Sequence, residues 1–123
     1  MKVGNDIVEV RRFLELVSNK RFLDRVFSEK EQENILSLKD KQKKAERMAG
    51  RFSAKEAVAK ALGLGISGGV NFLSISILPD EFGAPKVSLS GDALTVFKQL
   101  NAKEIEVSIS NTESFATAVC VII

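Results

Sequence analysis

Lys41-Gln42-Lys43-Lys44-Ala45-Glu46-Arg47-Met48-Ala49-Gly50-Arg51-Phe52-Ser53-Ala54-Lys55-Glu56-Ala57-Val58-Ala59-Lys60-Ala61-Leu62 reads as one long helix, closed by Gly63 where a helix C-cap is expected. At about 100° per residue, Ala45, Met48, Ala49, Phe52, Ala59 and Leu62 gather on one side. Glu56 falls inside that apolar arc, one turn after Phe52. Lys60 follows at the edge of the arc, and Lys55 lies near its other edge. A carboxylate directed at a core has to be paired, hydrogen-bonded or metal-bound. Two readings are open. Glu56 and Lys60 can form a local i,i+4 ion pair. Alternatively, Glu56 belongs to a hard-cation site, since Mg²⁺ is typically held by one or two carboxylates together with substrate phosphates.

Upstream, Lys2 to Val10 alternates loosely and reads as a short strand in which Asp6 shares a face with Val8 and Val10. Asp6 is then a second carboxylate for such a site, or a simple strand-end aspartate beside Gly4; spacing alone does not bring it to Glu56. Arg11 to Val17 opens a helix with Phe13, Leu14 and Val17 on its apolar side, and Ser28-Glu29-Lys30-Glu31 fits a capping box for a helix through Leu38. Downstream, Leu64 to Val70 holds Gly65, Gly68 and Gly69 and reads as a loop, matching neither a Walker A loop nor a dinucleotide fingerprint. Asn71 to Leu78 is strand-like, Pro79 to Pro85 is a connection full of turn residues, and Lys86 to Leu89 is the returning strand. Ser90 is placed to cap a helix from Gly91 to Leu100. Glu104 to Ser110 alternates as a half-buried strand. Phe115 to Ile123 is a last strand, apolar on both faces toward its end, and so central or covered by another subunit. The sum is α+β, an antiparallel sheet packed with a long central helix and shorter N-terminal helices, in a single domain over 1–123.

Composition narrows the chemistry. Hydrophobic residues at 45% and charged residues at 28% are the balance of an ordinary soluble globular protein. No apolar run reaches the roughly 18 residues of a membrane span, and Met1 to Asp6 lacks the apolar stretch of a signal peptide, so a cytoplasmic protein is expected. The absence of histidine excludes Ser-His and Cys-His catalysis and His-ligated zinc. Cys120, the only cysteine, sits in an apolar run as a core residue and permits neither an intramolecular disulfide nor a Cys-rich metal site. Any metal is therefore held by oxygen. The net charge of +2 is uneven, +5 over residues 1–60 and −3 beyond, with seven basic residues between Lys41 and Lys60. Such an excess is a solvated helix face or a surface for a polyanion: nucleic acid, a phosphate-rich cofactor or an acidic protein. All eight aromatics are Phe, mostly at core-like positions, which weighs against nucleic acid.

Phe52-Ser53-Ala54-Lys55-Glu56-Ala57-Val58-Ala59-Lys60-Ala61 closely resembles the signature helix of the holo-acyl-carrier-protein synthases, the small 4′-phosphopantetheinyl transferases. Gly4-Asn5-Asp6-Ile7-Val8-Glu9 resembles their N-terminal glycine–apolar–aspartate motif. Arg51 and Gly63-Leu64-Gly65-Ile66 extend the match on either side of the helix. Gly83-Ala84-Pro85 resembles their Gly-Lys-Pro turn, and Val107-Ser108-Ile109-Ser110-Asn111-Thr112 their late Ser-Ile-Ser-His-Thr segment. The resemblance implies the 4′-phosphopantetheinyl transferase fold. It also implies transfer of the phosphopantetheine arm of coenzyme A to a serine of apo acyl carrier protein, in support of fatty acid biosynthesis, with adenosine 3′,5′-bisphosphate released. It implies Mg²⁺, or Mn²⁺, on Asp6 and Glu56, with Glu56 and Lys60 as the catalytic pair. Coenzyme A contacts would come from Arg51, Lys60, Gly63, Gly65, Pro85, Ser110, Asn111 and Thr112. The acidic carrier protein would dock on Arg12, Arg21, Arg25 and Lys44, with Arg47 a further candidate. The family forms homotrimers with active sites at subunit interfaces, where the Asn111 and Pro85 regions approach coenzyme A held mainly by the next subunit.

Two positions depart from the family pattern. Asn111 stands where histidine is usual, and an amide hydrogen-bonds without carrying charge, so a charged contact to a coenzyme A phosphate is lost there. Asn5 replaces an apolar residue beside Asp6. The competing readings are a catalytically idle relative that binds coenzyme A or carrier protein, a transferase serving a specialised synthase, and a small basic nucleic-acid-binding module.

Overall fold

The computed structural model describes residues 1–63 and 70–123. Of the loop read from Leu64 to Val70, residues 64–69 lie outside the described residues. In chain order the elements are β1 (Lys2–Glu9), a 3₁₀ turn (Val10–Arg12), α1 (Phe13–Leu16), α2 (Lys20–Val26), α3 (Glu29–Leu36) and α4 (Lys41–Leu62). A second 3₁₀ turn (Phe72–Ser74) leads into β2 (Ile75–Pro79), followed by β3 (Pro85–Leu89), α5 (Gly91–Gln99), β4 (Ile105–Asn111) and β5 (Phe115–Ile122). No described helix is long and apolar enough to cross a membrane.

Helix α4 has the bounds its sequence implies. Asp40 caps its start by accepting from Lys43 N at 2.9 Å, and Gly63 ends it in the left-handed region at φ 91°, where a side chain would be strained. Ser28 and Glu31 form the reciprocal capping box on α3, which ends at Leu36, short of Leu38. The short helix α2 interrupts what the sequence left unassigned, with Asn19 accepting from Phe22 N as its cap. The strand expected from Asn71 begins only at Ile75, because Asn71 starts a 3₁₀ turn through its side chain. Ser90 occupies the cap position of α5 without a side-chain cap bond; its backbone N–H donates instead to Ser74 O at 2.9 Å.

The antiparallel strands divide into two sheets. One has the order β1-β5-β4 and the other pairs β2 with β3. β5 is central, with Gly4 opposite Cys120, Asp6 opposite Ala118 and Ile109 opposite Ala118 on the other flank. Its inner residues Ala116, Ala118, Cys120 and Ile122 are buried, while Phe115, Thr117 and Val119 face out. The central place expected for this strand is thus borne out, with its residues alternating between the covered and the open face of the sheet.

α4 lies between two cores. Ala54, Ala57, Val58, Ala59, Ala61 and Leu62 pack with β2, α5 and the sheet, and Ala45, Met48 and Ala49 pack with α1–α3. A helix buried on nearly all sides has no single apolar arc, which corrects the one-sided reading of α4. Lys55 of α4 is fully buried, whereas Glu56 is only partly covered. The Lys55 ammonium donates to Glu31 Oε1 at 2.8 Å, Val26 O at 2.6 Å and Phe72 O at 3.0 Å. Glu31 in turn accepts from Ser28 N and Ile77 N, both at 2.9 Å. All of the ammonium's donors are spent, as a buried charge requires.

Candidate active site

Gly4 sets the approach of β1 to α4. A Cβ placed there would stand 2.1 Å from Ala57 O and 2.6 Å from Ala61 N. Only glycine allows the strand to cross the helix so closely. Two residues on, the same face of the strand carries Asp6 to the stripe Ser53, Glu56, Lys60, which sits at i, i+3 and i+7 on α4. Ser53 Oγ donates to Asp6 Oδ2 at 3.1 Å, and Lys60 Nζ donates to Asp6 Oδ1 at 3.1 Å and to Asn5 O at 3.0 Å. Lys60 therefore bridges to the strand in place of the local i,i+4 pair with Glu56.

Glu56 holds its proton more tightly than an ordinary carboxylate. Partial burial is the main cause, the Asp6 charge adds to it, and Lys60 and Arg12 oppose it. Two carboxylates that repel one another offer hard oxygen donors and fit a hard cation completed by phosphate oxygens. Among the described residues no cluster of three or more acidic, His or Cys side chains exists to hold a metal without such help.

A second group of predicted residues meets elsewhere. Arg51, Pro85 and Asn111 line a cleft of about 400 Å³ with Lys43, Glu46, Arg47 and Gly83. Arg51 Nε is buried with no hydrogen-bond partner among the described residues, and burial, followed by the Arg47 charge, weakens the guanidinium's hold on its proton. Arg51, with Lys43 and Arg47, gives the cleft a cationic lining that suits an anion. Asn111 Nδ2 donates to Glu46 Oε1 at 2.9 Å and to Thr112 O at 3.2 Å; both partners are acceptors, and Oδ1 is the end of the amide without a partner among the described residues. The cleft lies at the β4 edge of the sheet and the carboxylates at the β1 edge, with β5 between them. Strand spacing makes that separation roughly 10 Å.

The remaining predicted residues are dispersed. Ser110 projects to the outer face of the sheet, in a recess with Asn5, Asp6 and Thr117. Thr112 Oγ1 accepts from Ser114 N and Phe115 N, building the β4–β5 turn. Gly63 caps α4, and Gly65 lies outside the described residues. Arg21 and Arg25 flank a groove with Leu16, Asn19 and Phe22, and Arg12 lies over the rings of Phe13 and Phe52, so the three arginines surround one phenylalanine cluster. Lys44 lines neither depression, whereas Lys43 lines the cleft. Sequence reasoning did not reach Ser53 or Glu46. The i, i+3, i+7 spacing of Ser53 with Glu56 and Lys60 was the available signal for the first.

Comparison with known proteins gives the class. The chain matches the 4′-phosphopantetheinyl transferase superfamily over residues 2–120. A holo-[acyl-carrier-protein] synthase of Shewanella amazonensis is 38% identical over 98% of this chain and 95% of its own length. The fold is similar to the Helicobacter pylori holo-[acyl-carrier-protein] synthase, solved in complex with coenzyme A, with a TM-score of 0.80 and 35% identity over 98% of each chain. The Bacillus anthracis synthase, solved with CoA (3′,5′-ADP), gives 0.80 and 33% over 98% of this chain and 94% of its own. The chain therefore belongs to the 4′-phosphopantetheinyl transferase superfamily, a family of transferases, and within it to the holo-[acyl-carrier-protein] synthases.

Proposed function

We propose that this chain, as one domain over 1–123, transfers the 4′-phosphopantetheine arm of coenzyme A to a serine of apo acyl carrier protein, in the cytoplasm and in support of fatty acid synthesis. The observation that carries the reading is the meeting of Asp6, Glu56 and Lys60 at the crossing of β1 and α4. The serine oxygen forms a bond to the phosphorus that bears the pantetheine arm, and the pyrophosphate P–O bond breaks. Adenosine 3′,5′-bisphosphate leaves with the bond's electrons. Glu56, directly or through water, takes the serine proton, a role suited to a carboxylate held above its ordinary range. Lys60, half exposed, reaches the phosphate on which charge develops. Asp6 and Glu56 would hold Mg²⁺ or Mn²⁺, which when bound supplies charge neutralisation for the phosphates. The cleft-lining guanidinium groups of Arg51 and Arg47 suit an anionic portion of coenzyme A, with Pro85 and Asn111 forming the facing wall.

The carboxylates and the cleft occupy opposite edges of one sheet, which favours a site shared between copies. The outer sheet face supplies the contact. Val3 is 59%, Ile7 62%, Phe115 48% and Val119 38% exposed, an apolar patch of the kind that marks a protein interface. A homotrimer packed through that face would set the cleft of one chain beside the carboxylates of the next. The exposed Arg12, Arg21 and Arg25 around the Phe13–Phe22–Phe52 cluster suit an acidic carrier protein.

Intact-mass measurement of apo carrier protein incubated with the chain, coenzyme A and Mg²⁺ tests the reading. The expected result is the gain of one phosphopantetheine, abolished by chelator. No gain with several carriers, from folded protein, would overturn the transfer; coenzyme A binding by calorimetry would then identify an idle binder.

A further inference from the structure

Asp6 is gripped by two donors that differ in kind. Ser53 is neutral and fully buried, whereas the Lys60 side chain is charged and 50% exposed. A serine within a helix commonly points its hydroxyl to solvent or back to the carbonyl one turn earlier. Ser53 instead gives its one proton to Asp6 Oδ2, on a strand 47 residues away in sequence. That bond fixes the plane of the carboxylate without help from Lys60. Lys60 meanwhile sits on Asp6 Oδ1 and on the carbonyl of Asn5. A carboxylate oxygen and a backbone carbonyl are also what a hard cation seeks. The ammonium and a divalent cation therefore compete for the same carboxylate, and the half-exposed lysine is the partner free to leave.

Resting on the reading of Asp6 and Glu56 as cation carboxylates, we propose that Ser53 is the positioning residue of the cation site and Lys60 its place-holder. Ser53 keeps Asp6 oriented in both states. Lys60 occupies Asp6 only until the cation is taken, and is then released toward the phosphates. The two donors on one carboxylate thus have opposite effects on cation affinity.

Mn²⁺ binding to the full chain, followed by the electron paramagnetic signal of the free ion with and without coenzyme A, tests this without turnover. Ser53→Ala is expected to weaken Mn²⁺ binding by about 10–100-fold, as loss of an outer-sphere partner typically does. Ser53→Thr, which keeps the hydroxyl, is expected to retain binding. In the absence of coenzyme A, Lys60→Met is expected to tighten it by about fivefold, the worth of one unit charge near 4 Å in water. The gain should exceed that from Arg12→Gln, which removes a charge facing Glu56 but no bond to Asp6. Unchanged affinity in folded Ser53→Ala, or weaker affinity in Lys60→Met, would overturn the proposal. Wild-type chain that takes no Mn²⁺ even with coenzyme A would instead overturn the cation reading on which it rests.

Discussion

Replacing Gly4 by alanine tests whether the strand–helix crossing builds the site. The new Cβ would lie 2.1 Å from Ala57 O, about 1.3 Å inside the 3.4 Å at which ordinary contact begins, and 2.6 Å from Ala61 N. Both obstacles are backbone atoms of α4 and have no rotamer by which to yield. β1 is itself tied to β5 along its whole length, from Lys2 opposite Ile122 to Glu9 opposite Phe115. The clash must therefore be relieved by moving the strand off the helix. Overpacking of this kind costs about 1–3 kcal/mol, and each kcal/mol lowers the melting midpoint of a domain this size by about 4 °C. The same retreat carries Asp6 away from Ser53, Glu56 and Lys60. A misplacement of about 1 Å in reacting groups can cost about 100-fold in rate. Thermal unfolding and carrier-protein turnover, measured on the same preparation, should both fall, with kcat falling further than stability explains. A Gly4→Ala chain with unchanged midpoint and unchanged kcat would refute the reasoning, since the crossing would then tolerate what its geometry forbids.

Four further outcomes follow from the structure. Glu56 binds its proton more tightly in the folded chain than the ordinary 4.5, so without metal the wild type loses stability as pH rises from that value through the raised one, and none beyond. Glu56→Gln should accordingly melt higher than wild type near neutral pH in chelator, the gap closing at more acid pH; equal midpoints at neutral pH would count against it. Lys55→Met should destabilise by about 3–5 kcal/mol in denaturant titrations by stranding Glu31 and two carbonyls, and Lys55→Met/Glu31→Leu should recover part of the loss; a neutral single variant would contradict the network. Val119→Asp should dissociate the proposed trimer in sedimentation experiments, and unaltered assembly would remove the outer sheet face as the interface. Arg21→Glu/Arg25→Glu should raise KM for the carrier protein and flatten its salt dependence while leaving coenzyme A affinity unchanged; an unmoved carrier KM would dismiss that groove.

The end of α4 was legible because Gly63 carries local chemistry there as a left-handed glycine, and the structure adds Asp40 as the cap at its start. The capping box of α3 was legible for the same reason, although its Glu31 turned out to serve also as the buried partner of Lys55. Periodicity misplaced the interior charge because it assumes one core per helix, and α4 has two. Glu56 is partly covered and Lys60 exposed, and Lys60 reaches Asp6 on β1. The meeting of Asp6 with Glu56 was not legible, since no pattern within a strand or a helix encodes where the two cross. Gly4 is the residue that records the crossing, and its meaning emerges only against Ala57 and Ala61. Asn111 could be recognised as an amide in an unusual place, but the direction of that amide depends on Glu46, far away in sequence.

β1 finds its partner in β5, more than a hundred residues further along the chain. During synthesis the segment bearing Asp6 is made early and waits, unpaired, until the strand at 115–122 has emerged. Contacts of such separation are late and slow to close. The long helix can form from its own sequence in the meantime, but its stripe of Ser53, Glu56 and Lys60 has nothing to grip. A nascent chain stalled before Phe115 would therefore carry every carboxylate of the site and still be unable to assemble it, so that competence for chemistry arrives together with completion of the sheet.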